Sequence, residues 1–369
     1  MIENIEFYRN LAAGLTNEFQ AADGGEKTSL LYAKNPIPTQ RLVEAGNTFQ
    51  VLIIGGTHTH CATLQRRSEG LVIVESSKKP TPILHSREVL MDIVENNVNK
   101  ETTVLGLNFA FPMQVIARGD ILDGTLVSGT KEHTFNGLVG KNVGEEIEKE
   151  LFARRGQKIQ VAVCNDTVSL GLAGLDYIES KGIKNARVAA GIVGTGFNFG
   201  LFTEPSLFVN LESGNFSNFE HAKTTNFIDK NSTNPGKNIF EKEVGGRYLW
   251  EHFNLRAEQE GLNVSLTDGL ELSNLAEKDL TTAGQIASEI LERAAGMVAA
   301  EIAAVNALSQ QKMPTSSKTL YLAVEGSVFW NAYRFADAVK AILYEISNEE
   351  VEIFHVENSG ILGTARLVG

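Results

Sequence analysis

The strand-like run KIQVAVC ends in Asn165-Asp166-Thr167 and continues into the small-residue stretch SLGLAGL. A carboxylate at such a junction has two uses. It can take the proton of a hydroxyl that is becoming a nucleophile, or it can cap the helix by accepting from amides of the first turn. Both readings stand on these residues alone. Two glycine turns offer a second chemistry: Gly55-Gly56-Thr57 follows FQVLII, and Gly194-Thr195-Gly196 follows NARVAAGIV. Glycine lets amide N–H groups approach and point at an anion, which suits phosphate, although each turn by itself also reads as an ordinary tight turn between strands. His58 and His60 alternate along one strand face. With no third ligand in view the pair is not assigned as a metal site, and no metal-ligating residues are assigned. Cys61 and Cys164, the only two cysteines, read as small buried hydrophobes rather than nucleophiles.

The elements that would position these residues are mixed α/β. Ile5, Leu11, Leu15 and Phe19 recur at helical spacing, so residues 1–47 form a helical entry ahead of the connector KNPIPTQ. FQVLIIGGTHTHCATLQ predicts a strand, a Gly-Gly turn and a second strand. LVIVES and VLGLNFAF are further strands flanking a helix around SREVLMDIVENNV. NARVAAGIVGTGFNFGLF repeats the strand, glycine turn, strand theme, which suggests two halves that each supply one backbone loop to a shared cleft. The Ala-rich stretch 283–308 is a long helix whose Ile286, Ile290, Ala294, Met297, Val298 and Val305 form a core-facing stripe. TLYLAVEGS is another strand, and a last strand-to-helix unit follows.

Composition narrows the function classes. A chain of 369 residues that is 43% hydrophobic can bury a substantial core, and this length favours two lobes over one. The net charge of -12, without any dense block of Lys and Arg, gives no electrostatic footprint for nucleic acid or an anionic membrane, so small molecules are the expected partners. The opening MIENIEFYRN carries charges where a signal peptide needs an apolar stretch, and no segment approaches about 18 uninterrupted apolar residues. With so few cysteines, a reducing cytoplasm is the expected compartment.

Several segments in succession resemble the eukaryotic-type hexokinase family, over nearly the whole chain. VLGLNFAFPMQ at 104–114 is similar to its sugar-loop strand, DGTLVSGTKEHTFNGLVGKNV at 123–143 to its Thr-Lys loop, and CNDTV at 164–168 to its catalytic segment. GIVGTGFN is similar to its second phosphate loop, NLESGNF and NPGKNIFEKEVGGRYLWE to its two sugar-contacting Glu segments, and LAVEGSVFWNAYRF and SGILGTARL to its adenosine side. The resemblance implies a two-lobed actin-like ATPase (ribonuclease-H-like) fold with a cleft between a small and a large lobe. Its expected boundaries are an N-terminal helical segment 1–47 packing on the large lobe, a small lobe 48–163 and a large lobe 164–369, with the C-terminal helix able to return to the small lobe. It implies a hexokinase that uses ATP and Mg²⁺ to phosphorylate a hexose at the 6-hydroxyl, with Asp166 as base. Asn108, Thr130, Lys131, Asn165, Glu212 and Glu241 would contact the sugar, and Lys131 would add positive charge near the transferred phosphoryl group. Gly55, Gly56, Thr57, Gly194, Thr195 and Gly196 would cradle phosphates, while Gly326 and Ser327 would lie near the nucleoside.

The chain departs from that family at several positions. Ile53 stands where the first phosphate loop has an Asp that anchors the nucleotide's magnesium through water, and His60 stands at the loop's Arg. Ala110 replaces a sugar-contacting Ser, and Glu132 and His133 replace a Gly and an aromatic. Ile53 therefore sustains a second expectation: a hexose-binding regulator or pseudo-kinase with impaired Mg-ATP chemistry.

Overall fold

The computed structural model describes residues 5–129, 133–314, 317–347 and 350–369. In chain order, helix α1 (Ile5–Asp23) buries Tyr8, Leu11, Leu15 and Phe19 and stops at the Gly24-Gly25 pair, so that a short strand β1 (Ala33–Pro36) forms within the stretch expected to be a helical entry. Strands β2 (Thr48–Ile54), β3 (His58–Arg67) and β4 (Gly70–Pro80) lead to α2 (Arg87–Asn97), β5 (Val104–Phe109) and the pair β6 (Met113–Arg118) and β7 (Ile121–Leu126). Next come α3 (Val143–Arg155), β8 (Gln160–Cys164), α4 (Asp166–Ser180), β9 (Arg187–Val193), β10 (Phe197–Glu204) and β11 (Leu207–Asn210). A 3-10 turn at Ser213–Asn215 precedes α5 (Thr225–Asn231), α6 (Ile239–Val244), α7 (Gly246–Gln259), α8 (Gly269–Lys278) and the long α9 (Thr282–Lys312). The remaining elements are β12 (Leu320–Glu325), α10 (Ser327–Asn331), α11 (Phe335–Ile346), β13 (Val351–Phe354) and α12 (Ser359–Arg366).

The chain divides into two compact units, each discontinuous in sequence. The first is Met1–Tyr32, Asn185–Thr203 and Asn210–His355, and the second is Ala33–Lys184, Glu204–Val209 and Val356–Gly369. The second unit is built on a five-stranded sheet in the order β4-β3-β2-β5-β8, in which β2, β5 and β8 run parallel, β3 pairs antiparallel with β2, and β4 pairs antiparallel with β3. Leu52, Ile54, Leu105, Leu107, Phe109, Val161 and Val163 pack in one core with Leu90, Val94, Ile147 and Leu151 of α2 and α3. The other side carries α4 and α12, which cross closely: a Cβ on Gly363 would stand 1.7 Å from the Ser169 carbonyl, so no larger residue fits there. Covering both faces explains why these parallel strands read as continuous apolar runs.

In the first unit, β10 pairs antiparallel with β9, and β9, β12 and β13 run parallel in the order β10-β9-β12-β13. Helix α9 packs on α1, α7, α8, α11 and β9. Its Ile286, Ile290, Ala294, Met297, Val298 and Val305 are all buried, as the helical stripe predicts.

Candidate active site

In the second unit, the candidate residues gather at the carboxyl ends of β2, β5 and β8. That edge of an open α/β sheet is where ligands bind, because there the strands give way to loops and helix N-termini. Register places Ile53 beside Asn108, and Asn108 beside Cys164, with Asn165 and Asp166 following directly. The roles at the junction are divided. Asn165 is the N-cap of α4: its backbone is extended (φ -90°, ψ 176°) and its Oδ1 accepts from the Val168 N–H at 2.9 Å. Asp166 is the first helical residue, and its Oδ1 accepts from the Thr167 N–H at 2.8 Å and, more weakly, from the Thr167 hydroxyl at 3.4 Å. The capping reading of Asp166 is thereby corrected, because the cap is its neighbour.

Asp166 Oδ2 takes no hydrogen bond from any other described residue, and the side chain is exposed. Many protein atoms nonetheless surround it, and desolvation raises its carboxyl above the ordinary aspartate range while the Thr167 N–H and hydroxyl and its own N–H pull it down. Water still reaches the group, so the net shift is moderated. Asp123 in the same unit is the opposite case. It is buried, and its two oxygens accept from Gly124, Gly144 and Glu145 N–H groups and from Arg118, which leaves it no free acceptor.

Asn108 is 2% exposed, and its Oδ1 has no partner among the described residues. Ile53 and Asn108 both face the start of α12, where a Cβ on Gly360 would lie 3.0 Å from Ile53 Cδ1 and 3.9 Å from Asn108 Nδ2. Ile53 therefore packs as an apolar contact where the family has a carboxylate. Gly55, Gly56 and Thr57 form the tight β2–β3 turn, closed by the Gly55 N–H donating to the His58 carbonyl at 3.1 Å. His60 faces Ile53 across that hairpin, and burial, with the Lys78 ammonium, lowers its pKa, so its ring is neutral at neutral pH. Thr130 and Lys131 lie outside the described residues. No group of three His, Cys, Asp or Glu among the described residues could hold a metal ion.

In the first unit, Glu212 and Glu241 are held by different devices. Glu212 adopts a left-handed backbone (φ 52°), costly for a non-glycine residue and characteristic of functional turns, and accepts from Asn210 Nδ2 at 2.6 Å. Glu241 Oε2 accepts from the Phe197 N–H at 3.0 Å, which joins α6 to the Gly194–Gly196 turn. That turn is braced further: the Gly246 N–H donates to the Gly194 carbonyl at 2.8 Å and the Arg247 N–H to the Thr195 carbonyl at 3.2 Å. The first amides of α7 lack intrahelical partners, and here they hold the turn. Gly326 completes the arrangement. Its φ of 117° and the Val193 carbonyl, 2.1 Å from where a Cβ would stand, admit only glycine, and Ser327 begins α10 beside it.

Sequence reasoning missed Lys242, whose buried Nζ donates to Asp229 at 2.6 Å and to the Lys237 and Asn234 carbonyls at 2.8 and 3.0 Å, tying down the NPGK turn ahead of Glu241. Burial would raise the Asp229 carboxyl, but Lys242 and the Gly236 N–H overcome it and hold it below the usual range. A lysine in a helical run carries no signal of such a role. The Asn165 cap was missed too, because the capping role was read at Asp166, although an Asn directly before a helical run is itself an N-cap signal.

Comparison with known proteins gives the class. A solved structure described as a hexokinase superposes with a TM-score of 0.80 at 22% identity, covering 98% of this chain and 95% of that one. A Schistosoma mansoni hexokinase complexed with glucose superposes with a TM-score of 0.78 at 20% identity, over 98% and 95% of the two chains. The fold is that of the actin-like ATPases to which the sugar kinases belong. Family models described as Hexokinase match residues 85–175 and, for a second model, 188–256 and 251–369. Hexokinase-2 of Solanum tuberosum is 24% identical over 95% of this chain and 85% of its own length. The chain belongs to the hexokinase family.

Proposed function

We propose that this chain transfers the terminal phosphoryl group of ATP to the 6-hydroxyl of a hexose, with Asp166 as the base. The observation that carries the reading is the division at the start of α4: Asn165 caps the helix and leaves Asp166 with an exposed side chain whose Oδ2 takes no hydrogen bond from any other described residue. Family membership supports a sugar-phosphorylating transferase. The sugar oxygen forms a bond to the γ-phosphorus while the bond to the bridging oxygen breaks. ADP leaves with that electron pair, and the hydroxyl proton passes to Asp166. A carboxyl raised by desolvation is better matched to neutral pH than an ordinary aspartate.

The reading draws sugar contacts from Asn108, Thr130, Lys131, Asn165, Glu212 and Glu241. The amides of both glycine turns serve the phosphates, and Gly326 and Ser327 serve the nucleoside. Magnesium arrives as part of the MgATP substrate. Buried, unpaired Cys61 and Cys164 accord with a reducing cytoplasm as the compartment. The packing of Ile53 favours a second reading, a hexose-binding regulator with impaired Mg-ATP chemistry.

A coupled assay with glucose, mannose, fructose, glucosamine and N-acetylated hexoses, each with MgATP, separates the two. Turnover with at least one sugar is expected. Measurable sugar binding without turnover on any of them would replace the kinase with the regulator.

A further inference from the structure

His133 stands where the family carries an aromatic residue, and its ring is engaged at both nitrogens. The Leu84 N–H donates to Nδ1 at 3.0 Å, which places the ring proton on Nε2, and Nε2 donates to the Gly56 carbonyl at 3.2 Å. The ring is 6% exposed and packs edge-on against Phe111 with centroids 5.4 Å apart. It thus bridges the backbone at Leu84 to the middle of the Gly55–Thr57 turn, within the second unit.

The consequence follows from peptide planarity. In a trans peptide the carbonyl of one residue and the N–H of the next point in opposite directions. Holding the Gly56 carbonyl toward His133 therefore turns the Thr57 N–H the other way, and no described residue accepts from it. The far end of Thr57 is fixed too, since its carbonyl accepts from the Thr81 N–H at 2.9 Å. We infer that His133 is a positioning residue for this glycine turn, aiming the Thr57 amide at a nucleotide phosphate. The inference rests on the ATP-dependent reading above and adds a residue for which that reading has no role. A phenylalanine would fill the space and leave the Gly56–Thr57 peptide free to rotate.

The test compares wild type, His133→Phe and His133→Gln in the full chain. Equilibrium dissociation constants are measured for ATP and for glucose, and hydrogen exchange is measured on the peptide containing residues 55–57. In His133→Phe, ATP binding is expected to weaken about tenfold, the loss of one well-aimed hydrogen bond, with glucose binding unchanged and exchange at the turn faster. His133→Gln, which can still donate to the Gly56 carbonyl, should recover part of both. Unchanged ATP affinity and unchanged exchange in His133→Phe would overturn the inference, as would a parallel loss of ATP and glucose binding with a lowered Tm, the mark of a merely structural residue. A wild type that binds ATP but phosphorylates no hexose would sink the kinase reading and leave the ATP comparison to decide His133. One that binds no ATP would overturn both.

Discussion

Two adjacent polar residues stand at the start of α4, and the difference between an amide and a carboxylate does not by itself explain their separate roles. Position does: Asn165, with extended backbone, reaches the Val168 amide, whereas Asp166 already lies on the helix and its Oδ1 meets the amide and hydroxyl of the next residue, Thr167. The same reasoning applies at Ile53, where Cδ1 lies against the start of α12. A shorter Asp side chain fits that space, and a helix N-terminus favours negative charge. Ile53→Asp is therefore expected to raise kcat/KM for MgATP by about 10–100-fold, the usual worth of an outer-shell metal partner, read in a coupled assay alongside Tm. Lower activity with an unchanged Tm would show that Ile53 is not the limiting departure.

Elements brace the site more than single residues do. The Gly194–Gly196 turn depends on α6 through Glu241 and on α7 through Gly246 and Arg247, so the NPGKNIFEKEVGGR segment braces the candidate sugar residue Glu241 and the candidate phosphate turn together. Motif order made the segment recognisable, but its hydrogen bonds run between residues about 50 positions apart, a spacing no local pattern encodes. Helix α9 shows a second limit of local reading. Its apolar stripe was legible, yet Glu301 is fully buried within the helix and neither carboxyl oxygen has a well-aligned hydrogen-bond partner among the described residues, although Ser213, next to Glu212, lies close enough to influence it. Burial pushes the Glu301 carboxyl up to about 8, against a smaller pull downward from the Ser213 hydroxyl. An unfolded glutamate titrates near 4.5, so between that value and about 8 the folded chain holds a proton that the unfolded chain has lost. Stability must then fall as pH rises through this window and level off above it. Glu301→Gln removes the titration, and its Tm advantage over wild type should grow from pH 5 to pH 8. A difference independent of pH would contradict a neutral, buried Glu301.

At the scale of the whole molecule, the central strands of both sheets and the helices α1, α2, α4 and α9 were legible because apolar runs, glycine turns and a helical stripe each have a distinct period, whereas α3, the helices α5 to α8, and the strands β1, β6, β7 and β11 were not legible in this way. The discontinuous make-up of the units was not readable from any local pattern, and only the family resemblance allowed for a returning C-terminal helix. The last helix, α12, belongs with the second unit, where it packs on α4 through Ser169, Gly363 and Thr364, contacts nearly 200 residues apart in sequence. Small residues at a helix crossing look the same in sequence as small residues anywhere else. Both units carry candidate residues, and in the kinase reading Asp166 takes the proton. The most direct measurement is the turnover of Asp166→Asn beside its glucose dissociation constant. Loss of a general base predicts a kcat lower by about 10²–10⁴-fold, with glucose affinity within a few-fold of wild type. An Asp166→Asn protein that phosphorylates glucose at close to the wild-type rate would show that another group takes the proton.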